Sequence, residues 1–254
     1  MGSEKDLKIE KLAWAIERVQ QTIEEAGYKY VFIALYGSQN YLLDTENSDF
    51  DWYAAVEPSF HNFVFNIKPT STVLQYEYGQ ITIKDVREMF QMFKKGGFNF
   101  LEIPFSKTFI VKDKFQEEWD RLYEIRDAIA RINPYATIRS FIGVAGNYLK
   151  DSISNKDCAR ILHTANQITS YINGEYYENV LKSEKLFSRD FIMSIKTEDQ
   201  NQIYLDTLAN SQFEYIQRYG TNYLRDKVAA DMIDHLVEEE LDNILINICK
   251  KKDW

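Results

Sequence analysis

The sequence has few cysteines, no long hydrophobic run and fewer positive than negative charges. Its two cysteines, Cys158 and Cys249, are far apart and match no metal-ligand spacing. Sparse cysteine use favours a reducing compartment, so we expect a cytoplasmic protein. No apolar segment reaches the length of a membrane-spanning helix, and residues 1–6 have no signal-peptide character. We therefore expect no association with a membrane.

The charge balance narrows the possible partners. Thirty Lys and Arg residues against 39 Asp and Glu residues give a formal net charge of −9. This charge argues against a broad nucleic-acid surface, because such surfaces are strongly basic. A hydrophobic content of 45% and an aromatic content of 15% exclude disorder, and 254 residues are enough for one large or two ordinary domains.

Periodicity and turn residues predict an α+β fold. Apolar residues at three- and four-residue spacing predict an amphipathic helix over residues 7–25. Later patterns predict strands at 30–36 and 52–56, a hairpin over 71–83 that turns near 77–79, a helix at 86–95 after the N-cap Asp85, and short strands at 100–103 and 108–111. Beyond Lys112 the patterns are almost entirely helical, with a break at Asn133–Pro134.

These elements predict a small mixed β-sheet with flanking helices, followed by an all-helical region. We place the domain boundary after Lys112, so that residues 1–112 form the first domain and 113–254 the second.

The segment between the first two predicted strands contains the clearest functional motif. Gly37 and Ser38 follow the first strand, and Asp49 and Asp51 precede the second, with ten residues between Ser38 and Asp49. Carboxylates two residues apart on a strand project from the same face. Beside a glycine turn they suit a hard divalent cation and the phosphates that it carries.

Three other interpretations of this segment are a turn, a capping residue and a calcium-binding loop. A Gly-Ser pair after a strand is usually only a turn, and Ser48 or Asp49 could cap a bend. A calcium-binding loop is a sharper alternative, because Asn47, Asp49 and Asp51 fall at alternate positions. It fails because Trp52 stands where that loop needs glycine and Pro58 where it needs a bidentate Glu.

The whole string, Gly-Ser, ten residues and Asp-x-Asp between two strands, resembles the nucleotidyltransferases of the DNA polymerase β superfamily. It is most similar to the minimal nucleotidyltransferases and to a branch of predicted nucleotidyltransferases from bacteria and phages. In that branch a helix with a Phe-Lys-like end precedes an Asn-x-x-Glu strand, which residues 87–95 and 99–102 match here. The resemblance is specific over residues 30–105.

The resemblance implies transfer of a nucleoside monophosphate from a nucleoside triphosphate to a hydroxyl on a protein, an RNA or a small molecule. Asp49 and Asp51 would be the catalytic residues and the ligands of Mg²⁺, or of Mn²⁺ in its place. Gly37 would let the backbone approach the triphosphate, and the Ser38 hydroxyl and adjacent N–H groups would donate hydrogen bonds to its oxygens.

Basic side chains supply further nucleotide-binding candidates. Arg87 and Lys94 lie on the helix after the hairpin, where a solvated helix face is the alternative interpretation. Lys156, Arg160 and His163 are spaced i, i+4 and i+7 and could form a basic stripe that binds phosphate. Related chains tend to carry Lys-x-x-x-His-x-x-Arg here. The alternative is a surface helix face with a buried or capping His.

One residue of the family pattern is missing. Members normally carry a third carboxylate on a later strand, which binds the second metal and helps to activate the acceptor. The matching strand presents Gln80 and Thr82 on one face, and we assign Thr82 to the acidic position, with Gln80 as the alternative. Neither can act as a carboxylate base. A second hypothesis is therefore a catalytically weakened nucleotide-binding module that acts as a regulatory or partner-binding protein.

Overall fold

The computed structural model describes residues 4–67, 71–150, 152–227 and 233–251. Its helices are α1 (Glu4–Glu25), α2 (Ser38–Tyr41), α3 (Phe60–Val64), α4 (Val86–Lys94), α5 (Phe98–Leu101), α6 (Gln116–Glu124), α7 (Arg126–Ala130), α8 (Pro134–Asn147), α9 (Asn155–Ile172), α10 (Tyr177–Leu181), α11 (Arg189–Thr197), α12 (Gln202–Lys227) and α13 (His235–Lys250). Its strands are β1 (Tyr30–Tyr36), β2 (Asp51–Val56), β3 (Thr72–Tyr76), β4 (Gly79–Asp85) and β5 (Phe109–Val111). The fold is therefore α+β.

The five strands form one mixed sheet in the order β3-β4-β2-β1-β5. β2 and β4 are parallel, and the other three pairs are antiparallel. β3 and β4 form a hairpin, which confirms the hairpin predicted over residues 71–83. Gly79 at its turn leaves no room for a Cβ, which would lie 2.6 Å from the carbonyl oxygen of Phe50.

One face of the sheet is the core. Ala15, Val19 and Ile23, spaced four apart on α1, pack against Trp52 and Ile81 of the central strands. The predicted helix is confirmed, although its buried face begins later than expected, because Ile9 is 59% exposed. The opposite face carries the polar side chains of Asp51, Gln80 and Thr82 beside buried apolar residues such as Phe32 and Ala55.

Contacts divide the chain into two compact units. The first comprises Met1–Lys94, Asn99–Arg126 and Leu236–Trp254, and the second comprises Lys95–Phe98 and Asp127–His235. The predicted boundary after Lys112 does not coincide with this division, since α13 belongs with the sheet. Lys94 of α4 lies 2.6 Å from Asp242 of α13, and Lys251 lies 2.7 Å from Glu118 of α6.

The second unit is helical and is built around α9, whose side chains are buried over most of its length. Asn133 caps α8 by accepting the Ala136 N–H, with Pro134 in the first turn, so the predicted break at this point is confirmed. Among the described residues, no helix is long and apolar enough to cross a membrane.

The strand predicted at residues 100–103 is wrong. The segment forms α5 and then a 3-10 turn at Ile103–Phe105, which buries Leu101, Ile103 and Phe105. A short apolar run of this kind has no periodicity that separates a helix from a strand.

Candidate functional site

The register of β1 and β2 brings the two halves of the motif together. Tyr36, the last residue of β1, is paired with Asp51, the first residue of β2. The Gly37–Ser38 turn therefore leaves the sheet from the position beside Asp51. Gly37 adopts φ 79° and ψ −142°, a backbone conformation that favours glycine, although nothing lies within 4 Å of a Cβ placed there.

Asp49 and Asp51 flank a firmly held residue. Phe50 is buried, its N–H donates to the Tyr78 carbonyl at 2.8 Å, and its carbonyl accepts the Tyr76 hydroxyl at 2.9 Å. Asp49 is exposed and precedes β2, whereas Asp51 is half-buried within it. Burial raises the pKa of Tyr76, and the charges of both aspartates raise it further. Both carboxylates therefore act on one phenol.

The pairing of β2 with β4 shows which residue stands beside Asp51. Trp52 pairs with Ile81 and Tyr53 with Thr82. Thr82 thus shares the sheet face of Asp51 but stands beside Tyr53. Gln80, one residue before Ile81 as Asp51 is one before Trp52, occupies the position next to Asp51. The alternative assignment of the sequence analysis, Gln80, fits this register better than Thr82.

Tyr36 connects these uncharged side chains. Its hydroxyl accepts a hydrogen bond from Gln80 Nε2 at 3.4 Å and is also hydrogen-bonded to Thr82. Burial raises the pKa of Tyr36, these hydrogen bonds lower it, and Asp51 and Glu102 raise it. The Tyr36 ring stacks on Tyr53, with centroids 4.1 Å apart. A phenol and an amide thus lie where the resemblance expects a third acid.

Glu102 is a buried carboxylate beneath the Gly37–Ser38 turn. It accepts hydrogen bonds from the Gly37 N–H at 3.0 Å, from Asn40 Nδ2 at 3.3 Å and from the Tyr41 hydroxyl at 2.7 Å. Burial raises the pKa of Glu102 to about 7, although these three bonds lower it. The sequence analysis included Glu102 in the Asn-x-x-Glu match at residues 99–102 but assigned it no chemical role.

Arg87 and Lys94 are engaged inside the first unit. Arg87 is buried and forms a bidentate ion pair with Asp85, at 3.0 and 2.7 Å. Its two terminal nitrogens also donate to the carbonyls of Asn62 and Ile67. Lys94 pairs with Asp242. These contacts anchor α4 to its neighbours and occupy both side chains, so we no longer count Arg87 and Lys94 among the nucleotide-binding candidates.

Lys156 and Arg160 belong to the second unit. Both are exposed on α9, and Arg160 lies 3.6 Å from Asp157 and 5.0 Å above the Tyr148 ring. His163 is instead buried, and burial lowers its pKa to about 4. The predicted stripe therefore does not extend to His163, and the buried-histidine alternative describes that residue.

Lys84 is a cation on the sheet face of Asp51 that sequence reasoning did not select. It is half-buried, and its ammonium lies 5.4 Å from the centre of the Phe100 ring. Alternation along β4 puts Lys84 on the same face as Gln80 and Thr82. Within the described ranges no carboxylate lies within 4.0 Å of its ammonium.

The donor set fits one magnesium ion better than two. Asp49 and Asp51 offer hard oxygen ligands, and Mg²⁺ commonly binds one or two carboxylates while water and phosphate complete its shell. In the part of the chain that the structure describes, no group of three His, Cys, Asp or Glu side chains could hold a metal. No protein-family model matches the sequence. No curated protein matches it.

Proposed function

We propose that this chain is a magnesium-dependent nucleotidyltransferase that moves a nucleoside monophosphate from a nucleoside triphosphate to a hydroxyl acceptor. The observation that carries the proposal is the pairing of Tyr36 with Asp51, which sets the Gly37–Ser38 turn beside the Asp-x-Asp segment. A glycine turn and two carboxylates at one sheet edge suit a triphosphate with its metal.

In the proposed reaction, the acceptor oxygen attacks the α-phosphorus and loses its proton to solvent water. The bond from the α-phosphorus to the bridging oxygen breaks, and pyrophosphate leaves. Asp49 and Asp51 would hold the ion, which neutralises charge on the phosphate oxygens when it is bound. The Ser38 hydroxyl would donate to a phosphate oxygen. The acceptor would be a hydroxyl on a protein, an RNA or a small molecule.

A second function, a nucleotide-binding module without transferase activity, is favoured by one specific observation. The position beside Asp51 is occupied by Gln80, and Thr82 follows on the same face. Neither side chain can take a proton from an acceptor hydroxyl or hold a second metal as a carboxylate does. Such a protein would bind the triphosphate and serve as a regulatory or partner-binding protein.

The two functions are separated by measuring binding and turnover on the same preparation. Calorimetry with a non-hydrolysable triphosphate and Mg²⁺ measures binding, and pyrophosphate release with each of the common triphosphates measures turnover. Both should be seen for the transferase, and Asp51→Asn should abolish turnover. Binding without turnover supports the module. Absence of metal-dependent binding with all triphosphates contradicts both.

A further inference from the structure

Glu102 joins two segments that are distant in sequence. Its Oε2 accepts the Gly37 N–H and Asn40 Nδ2, and its Oε1 accepts the Tyr41 hydroxyl, across separations of 65, 62 and 61 residues. The side chain is 2% exposed. A buried carboxylate with three well-placed donors is an organised contact, since without them its burial would be costly.

These three donors belong to both ends of one short segment. Gly37 precedes α2, and Asn40 and Tyr41 are its last two residues. Asn40 Nδ2 also donates to the Leu35 carbonyl at 3.1 Å, which ties the segment to β1. Glu102 therefore fixes the direction of the Gly37 peptide and the closing residues of α2 at the same time. Ser38 lies between these fixed points.

We propose that Glu102 is a positioning residue that holds the Gly37–Ser38 turn in the conformation that binds the triphosphate, without itself contacting the nucleotide. This inference rests on the proposed function. The Gly37 N–H is donated to Glu102 and is not a phosphate donor, so within this turn the expected phosphate contact is the Ser38 hydroxyl. Glu102 thus acts through the turn.

The charged form of Glu102 suits this role. A carboxylate only accepts hydrogen bonds, which matches three donors, and hydrogen bonds to a charged group are about twice as strong as neutral ones. A proton on Oε1 would force the Tyr41 hydroxyl to turn round and accept. The titratable groups that interact with Glu102 are the phenols of Tyr41, from α2, and Tyr36, from β1. In the described ranges no Lys, Arg or His nitrogen lies within 4.0 Å of it.

The test compares three variants with the wild type. Glu102→Gln keeps the shape and removes the charge. Tyr41→Phe removes one hydrogen bond and keeps the carboxylate. Glu118→Gln is the matched control, because Glu118 is also a buried acid of the first unit but pairs with Lys251. For each protein we would measure unfolding in urea, the Gly37 amide signal by nuclear magnetic resonance, and the affinity for a non-hydrolysable triphosphate with Mg²⁺ at pH 6 and pH 8.

We expect Glu102→Gln to bind the nucleotide about tenfold more weakly than the wild type at pH 8, because the hydrogen bonds that hold the turn lose their charged acceptor. The wild-type Gly37 amide signal should titrate near pH 7, and that titration should vanish in Glu102→Gln. The nucleotide itself titrates in this pH range, and this affects its binding to every variant equally. The pH dependence that reports on Glu102 is therefore the difference between the wild type and Glu102→Gln. Glu118→Gln should keep the wild-type Gly37 signal, nucleotide affinity and pH dependence, whatever the loss of its ion pair with Lys251 does to stability.

The proposal is overturned if folded Glu102→Gln binds with wild-type affinity and pH dependence. If Glu102→Gln does not fold, Tyr41→Phe decides: weakened binding with a shifted Gly37 signal supports the role, and unchanged values overturn it. Failure of the proposed function is visible separately, because the wild type would then bind no triphosphate at either pH. In that case the Gly37 amide titration alone would test whether Glu102 holds the turn: its presence in the wild type and its loss in Glu102→Gln would support this role, and no difference would overturn it.

Discussion

Tyr36 and Asp51 are cross-strand partners at the end of the β1–β2 ladder, so the glycine turn and the acid that begins β2 are positioned by the same pair of strands. A ligand held by both would be held by a rigid part of the sheet. Side chains on regular elements give more precise sites than side chains on loops. The position of Asp51 is therefore set by backbone pairing.

Replacing both Asp49 and Asp51 with Asn should abolish the magnesium-dependent part of nucleotide binding. Wild-type protein should melt at a higher temperature with triphosphate and Mg²⁺, because the ligand stabilises the folded form by mass action. The double variant should lose this shift while its unliganded stability changes by no more than about 0.5 kcal/mol, since one side chain is exposed and the other half-buried. An unchanged shift would exclude these carboxylates as the metal site.

Gln80→Asp should create a stronger metal site than Thr82→Asp. The register puts Gln80 beside Asp51 and Thr82 beside Tyr53, so only the first substitution sets two carboxylates side by side. Aspartate is a poor strand residue, at a cost of up to about 1 kcal/mol. Titration with Mn²⁺, followed by electron paramagnetic resonance, counts the bound ions. Tighter binding to Thr82→Asp would show that the neighbour of Asp51 has been misassigned.

Arg87→Met should lower the free energy of unfolding by about 3–5 kcal/mol, because it leaves the buried carboxylate of Asp85 without its cation. The double variant Asp85→Asn with Arg87→Met should recover part of this loss. Urea denaturation measures both. The affinity of the folded protein for triphosphate should be unchanged; a loss of affinity without a loss of stability would return Arg87 to the nucleotide-binding candidates.

The second unit should lose stability in mild acid through His163. Burial lowers the pKa of His163 from 6.5 to about 4. Between these pH values the unfolded chain therefore binds a proton at His163 more readily than the folded chain does. The stabilisation is present above pH 6.5 and is lost as the pH falls toward 4, to a total of about 3 kcal/mol. In His163→Gln this part of the pH dependence should disappear. Hydrogen exchange of α9 amides at pH 7 and pH 5 is the measurement, and equal slopes in both proteins would contradict it.

The sequence was a sufficient guide where a local pattern determined the structure. Local patterns correctly predicted the helix α1 from its apolar spacing, the strand β2 from the apolar segment after Asp51, and the hairpin from the turn at Gly79. Residues 100–103 were misassigned as a strand because a short apolar run packs equally well as a helix or a strand. The contacts of Arg87 and Glu102 could not be predicted, since their partners at Ile67, Asn62 and Gly37 are brought near only by the tertiary fold.

The membership of α13 in the first unit has a consequence for synthesis on the ribosome. Leu241, Ile244 and Ile248 are buried within the first unit, and Lys94 meets Asp242 there. The ribosome makes these residues only after the whole second unit has been translated. Domains generally fold as units in the order in which they emerge. Here the order is inverted, because the helical second unit can be complete while the first unit still lacks α13.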